Sequence, residues 1–191
     1  VAAFDYDLYR STNYGASFSA SLNVGGNMFS SIAAGNGVFV AVIGTAVAND
    51  VRYSTDNGAT WNNATSGSSV AKSLSFAGGY FFITGSNGKL FTSTNGSSWT
   101  DRTISTTNDL SPFVVYGGGQ WVIGTTQGVI YSATNISSWT ANPVQPASPV
   151  VYGNGVFVGS DGADIYVSTD GLNYSLAYSA TDSMVPQIAF F

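Results

Sequence analysis

STDNGATW, residues 54–61, is one of five versions of a single phrase. STNYGASF begins at Ser11, STNGSSW at Ser93, SATNISSW at Ser132 and STDGLNY at Ser168. Each opens on a hydroxyl side chain, carries Asp or Asn in its middle and closes on an aromatic ring. A polar turn that returns every roughly 40 residues marks a repeat architecture, and the segments between the turns define which one.

Working outward, every turn follows a short strand-like run: VRYSTD from Val51, KLFTSTN from Lys89, VIYSATN from Val129 and DIYVSTD from Asp164. The closing ring, at Phe18, Trp61, Trp99, Trp139 or Tyr174, begins another. Upstream, a first element reads SSIAAGNG at 30–37, KSLSFAGG at 72–79, PFVVYGGG at 112–119 and SPVVYGNG at 148–155, with a fifth copy, PQIAFF, at 186–191. Ile32, Leu74, Val114, Val150 and Ile188 share one position of it. Ala34, Phe76, Tyr116, Tyr152 and Phe190 stand two residues later, hence on the same strand face. After a Gly-rich turn comes a second apolar run, beginning at Val38, Tyr80, Gln120 or Val156. Helical periodicity is absent, so each unit reads as a four-stranded antiparallel sheet.

Such a sheet cannot bury its apolar face alone and must stack on its neighbours. Radial stacking leaves only short, protected edges, whereas an open solenoid calls for polar end caps that neither terminus shows. The first-element aliphatics are spaced by 42, 40, 36 and 38 residues. Phe191 stops where a first-strand turn should begin, and VAAF at 1–4 reads as a second strand. The expected fold is therefore an all-β propeller of five four-stranded blades, one domain over residues 1–191, closed by pairing its N-terminal and C-terminal strands. A piece of a larger propeller is the competing reading. A chain starting at Val1 without a leader reads as a processed chain or an excised domain.

Composition narrows the function. Apolar residues make up 44%, an ordinary share for a folded domain, but only 8% are charged, against about 25% in typical domains. The net charge of -5 without a basic cluster argues against nucleic acid and anionic membrane surfaces. No apolar run is long enough for a bilayer-spanning helix. With neither Cys nor His, thiolate metal sites, disulfides and the commonest general base are excluded. A surface poor in Lys and Glu and rich in Ser, Thr, Asn and Gly reads as extracellular or surface-exposed.

The repeated turn resembles the Asp-box, or bacterial neuraminidase repeat. STDNGATW fits it best through Ser54, Asp56, Gly58 and Trp61. Ser11, Asn13, Gly15 and Phe18 follow the same spacing; Ser93, Asn95, Gly96 and Trp99, like Ser168, Asp170, Gly171 and Tyr174, form shorter copies. In the fourth copy Ser132, Asn135 and Trp139 are assigned, with Ile136 intruding into the acid-to-glycine stretch. The resemblance implies a propeller whose boxes join third and fourth strands, opposite the usual ligand face. Physically, the Asx side chain would clasp turn N–H groups, glycine would supply positive φ, and the ring would pack between blades. A structural role is expected at every copy.

The resemblance also includes sialidases, which use three arginines, a Tyr–Glu pair and an aspartate. Glu is absent here, and Arg10, Arg52 and Arg102 sit at positions that do not converge. Asp5 with Asp7, or Asp161 with Asp164, could supply paired carboxylates, but in Gly-rich loops they read as turn formers. No enzyme is expected, no cofactor, and no dedicated metal site, since Asp161 and Asp164 lack regular calcium-loop spacing. The expected ligand face comprises strand 2–3 loops, with Asp5, Asp7, Asn49, Asp50, Asn87, Gln127, Asp161 and Asp164 as candidate contacts and Tyr6, Tyr14 and Tyr178 as candidate aromatic platforms. Amides, hydroxyls and a few carboxylates suit sugar hydroxyls. The expectation is a non-catalytic recognition or adhesion module for a glycan or surface protein. The alternative is a structural or interaction module beside neighbouring subunits of a larger surface or virion assembly.

Overall fold

Alternating apolar residues cut by tight turns give strands throughout. The computed structural model describes residues 1–26, 28–44, 51–64, 71–104, 106–142, 150–161 and 164–179. They form two compact units, one of residues 1–85 and 89–103, the other of residues 86–88 and 104–191. Among the described residues no helix is long and apolar enough to cross a membrane.

The first unit holds three sheets. β1 (Ala2–Phe4), β2 (Asp7–Arg10) and β3 (Ser19–Asn23) make a three-stranded one. β4 (Phe29–Gly35), β5 (Val38–Ile43), β6 (Val51–Ser54) and β7 (Asn62–Asn63) make the second. β8 (Ala71–Ala77), β9 (Tyr80–Gly85), β10 (Leu90–Ser93) and β11 (Thr100–Asp101) make the third. In the second unit, β12 (Leu110–Gly117), β13 (Gln120–Thr125), β14 (Ile130–Asn135) and β15 (Ser138–Asn142) precede β16 (Val150–Gly153), β17 (Val156–Ser160), β18 (Asp164–Ser168) and β19 (Ser175–Ser179). Every sheet is an up-and-down antiparallel meander, so the chain is all-β with five propeller-type blade sheets. Residues 186–191, expected to complete the first sheet and close the fold, lie outside the described residues.

The turn between each first and second strand is dictated locally. Asn36-Gly37, Gly78-Gly79, Gly118-Gly119 and Asn154-Gly155 all take positive φ at both positions. Two such residues make the primed turn whose twist matches the strands it joins.

Sheet faces then pack. In the first unit Val38, Val40, Val42 and Val51 of the second sheet meet Leu74, Phe81, Ile83 and Phe91 of the third. Phe76 leans on Phe81 with ring centroids 4.8 Å apart. Its ring also lies against Gly35, where an added Cβ would fall 2.3 Å from it. The second unit repeats the device: Tyr152 stacks on Phe157 at 4.7 Å, and a Cβ on Gly117 would meet that tyrosine at 2.2 Å. The last residue of a first strand is thus a glycine wherever the following blade's aromatic lies over it. Polar ties supplement the core in the first unit, where the Asn36 amide donates to the Gly79 and Thr94 carbonyls, each at 2.9 Å.

Candidate functional site

The repeated turn has a single hydrogen-bonding plan. In residues 54–61 the Ser54 hydroxyl donates to Asp56 Oδ1 (2.8 Å) and accepts the Gly58 N–H (2.8 Å). The Asp56 carboxylate then accepts the N–H groups of Ala59 and Thr60 and the Thr60 hydroxyl. The same plan recurs with Ser11, Asn13 and the Gly15 and Ser17 amides. It recurs with Ser93, Asn95 and the Gly96 and Ser98 amides, and with Ser168, Asp170 and the Gly171 and Asn173 amides. The bonds common to all four copies go to Oδ1, which Asp and Asn both possess; at the second position Asp56 and Asp170 accept through Oδ2, whereas Asn13 and Asn95 donate through Nδ2.

The fourth copy departs, and strand register explains how. Ser54 faces Phe39, Ser93 faces Phe81 and Ser168 faces Phe157, but Trp121 faces Ala133. Ala133, not Ser132, therefore occupies the clasp-serine position, and STNGSSW aligns onto ATNISSW from Ala133. The assignment of Ser132 to the box is corrected accordingly. Asn135 still accepts the Ser137 N–H (3.0 Å), while Ile136 replaces the glycine and is buried. Trp99 donates its indole N–H to the Gly96 carbonyl (3.0 Å); the corresponding Trp139 Nε1 is buried without a partner.

The box glycines do more than turn the chain. Cβ atoms added to Gly58, Gly96 and Gly171 would fall 2.5, 2.6 and 2.7 Å from Cγ2 of Val1, Val40 and Val122, the first just ahead of β1 and the other two on the preceding sheet. Sequence reading assigned them only a backbone role; their signal was the valine recurring in the preceding second strand. Gly15, by contrast, has nothing within 4 Å. The closing rings also differ. Trp99 and Tyr174 join apolar clusters and Trp61 donates to Ser21 Oγ (3.2 Å), whereas Phe18 is largely exposed.

The clasps carry charge chemistry of a structural kind. The Thr60 hydroxyl and amide, then the Ser54 hydroxyl, hold Asp56 well below the usual carboxylate range. The Asn173 amide does the same for Asp170 against some opposing desolvation. A lowered folded pKa stabilises the fold fully above the unfolded value of about 3.9, and that stability is lost as pH falls through the folded value. Asp56→Asn keeps an Oδ acceptor but has no proton to gain. Melting temperatures between pH 7 and pH 3 should therefore fall less steeply in Asp56→Asn than in the wild type, with the variant melting lower at pH 7 and the gap narrowing towards pH 3. Parallel curves would contradict this account.

The loop-face candidates lie apart in the chain and are placed as follows. Asp5 is exposed with φ of 48° in the β1–β2 turn. Asp7 accepts the Asn23 amide at 2.7 Å and the Tyr9 hydroxyl at 3.5 Å. These two belong to the first unit. In the second, Asn87 takes φ of 53° and donates its N–H to Asp109 Oδ1 (3.2 Å), and Gln127 is exposed. Asp161 and Asp164 are tied directly, the Asp164 N–H donating to Asp161 Oδ1 (3.1 Å) and the Asp161 N–H to the Asp164 carbonyl (3.2 Å), and the Tyr166 hydroxyl also reaches Asp161 Oδ2 at 3.0 Å and Asp164 Oδ2 at 3.5 Å. The hydrogen bond to Asp161 raises the phenol pKa, so this tyrosine keeps its proton as a clip between two carboxylates. Asn49 and Asp50 lie outside the described residues. Arg10 spends its guanidinium on the Asn57 carbonyl (2.9 Å), a turn contact. Among the described residues no three acidic, His or Cys side chains gather as a metal site would require.

The sequence matches no protein-family model and no curated protein. Solved structures do resemble it. The GH74 enzyme of Niastella koreensis shares 22% identity at a TM-score of 0.66, over 89% of this chain and 28% of that one. The GH74 xyloglucanase of Xanthomonas campestris shares 16% at 0.64, over 99% and 36%. YCF48 bound to D1 peptide shares 18% at 0.61, over 85% and 58%. The chain thus spans less than two thirds of each of these proteins. At such identities the likeness concerns architecture, and that architecture is the β-propeller.

Proposed function

We propose that this chain is a non-catalytic recognition module, displayed outside the cell or on a particle surface, that binds a glycan or a surface protein. The observation that carries this reading is the β1–β2 end of the first sheet. Phe4, Tyr6 and Met28 are 68%, 42% and 54% exposed there, beside Asp5 and Asp7. Backbone bonds from Val24 to Tyr6 O and from Phe29 to Asp5 O, both 3.0 Å, hold that turn in place. A fixed apolar wall with acceptors beside it is the makeup of a recognition surface. The carboxylates and amides of four boxes are meanwhile occupied by their own turns, which supports a structural and not a chemical task for them. Those four clasps also support grouping the chain with Asp-box propellers.

A protein partner is the second reading. It is favoured by the same exposed rings and by YCF48, a fold neighbour whose structure contains a bound peptide. A glycan array probed with the purified chain tests the first reading. Saturable hits weakened about tenfold or more by Phe4→Ala with Tyr6→Ala are expected. Hits indifferent to that double change would remove this turn from the site, and an array without hits would transfer the case to a protein partner.

A further inference from the structure

The fourth box leaves more than a missing clasp. On the face of the β12–β15 sheet that meets the next blade within the second unit, the polar end of β13–β15 borders a half-open hollow of about 150 Å³. Gln120, Ser132, Thr134 and Thr140 line it from one side, and Leu172, from the turn after β18, forms its apolar wall. Register shows why it exists. Val122 faces Ser132 as Val40 faces Tyr53, and both valines receive the box glycine of the following blade. Where the second sheet of the first unit sets Val38 and Tyr53, this one sets Gln120 and Ser132. The phenol ring that would fill the space is reduced to a hydroxyl.

That hydroxyl is the second, independent observation. Ser132 is 1% exposed, and its Oγ is buried with no hydrogen-bond partner. A buried hydroxyl left unpaired is destabilising, so a group that supplies a donor or acceptor there is favoured. In the present rotamer the Oγ does not open on the hollow; rotation of χ1 is what turns it there, without moving the backbone. The lining carries no ionisable side chain, so a charged ligand would lose hydration and gain no counter-charge. The volume equals roughly five waters at about 30 Å³ each, the scale of one six-membered sugar ring and below that of a drug-sized ligand.

We propose that this hollow is a binding subsite for a single neutral pyranose, with ring hydroxyls on Ser132, Gln120 and the threonines and a C–H face on Leu172. It shares no residue with the β1–β2 turn, which belongs to the other unit, so the two sites fail independently: the Phe4→Ala with Tyr6→Ala variant keeps this binding.

Glucose, galactose, mannose and N-acetylglucosamine, titrated singly into the isotope-labelled chain and followed by amide chemical shifts, provide the test, with N-acetylneuraminic acid as the charged control. At least one neutral sugar is expected to shift amides at 120, 132–135, 138–140 and 172 saturably, with Kd near the millimolar scale; the charged sugar is not. Ser132→Ala keeps the space and should weaken binding about three- to tenfold. Ser132→Tyr, which installs the side chain found at residue 53, should abolish binding while melting no lower than the wild type. Absence of saturable shifts with all four sugars, meaning that water alone fills the hollow, overturns the proposal. Unchanged affinity in Ser132→Ala does so too, and that variant decides the question if Ser132→Tyr fails to fold.

Discussion

Gly171→Ala is expected to destabilise the protein by about 2–5 kcal/mol, because two separate penalties meet at one atom. Its φ of +67° is strained for any residue with a Cβ, at about 1–2 kcal/mol. The new methyl would also stand 2.7 Å from Val122 Cγ2 and 3.1 Å from the Phe157 ring, overpacking that costs about 1–3 kcal/mol. Gly15→Ala isolates the first penalty, since Gly15 has φ of +87° but nothing within 4 Å, and should cost about 1–2 kcal/mol. Urea unfolding of both variants, with comparable m-values, reads the difference. Equal losses would mean that the contact between box glycine and valine contributes nothing to blade packing.

Gly35→Ala should also be clearly damaging, for a different reason. Its backbone is ordinary strand, so there is no φ penalty, but a Cβ would fall 2.3 Å from the Phe76 ring, which is already held by Phe81. The ring has to leave its place, at a cost of about 1–3 kcal/mol. Phe76→Leu removes the edge of the ring and loses some apolar contact by itself. Combined, the two changes should cost at least about 1 kcal/mol less than the sum of the singles, as expected for residues in contact. Additive losses would show that the glycine is tolerated for some reason other than the aromatic lying over it.

Much of this architecture was legible because its signals are local and repeated. Asn-Gly and Gly-Gly pairs place the primed turns, alternation places the strand faces, and Ser with Asx two residues on places the clasps. What escaped was what depends on register. SATNISSW invites alignment from its first serine, and only the pairing of Trp121 with Ala133 shows the clasp position to be one residue later. The inter-blade role of Gly58, Gly96 and Gly171 escaped for a similar reason, since their valines come from other repeats. The loop-face candidates were chosen by chemistry alone. Asp161 and Asp164 do come together, as partners in their own turn, and Tyr166, whose part in the loop no spacing rule announces, joins both carboxylates.

The pairing of a turn glycine with a valine one blade earlier has an evolutionary corollary. The second sheet both supplies a glycine to the repeat before it, at Gly58, and a valine to the repeat after it, at Val40. A unit with both halves of the joint can be duplicated or deleted without inventing a new seam, so copy number is free to drift among descendants of such a gene. The repeat bearing Ile136 has given up one half of that joint and could not simply take another repeat's place.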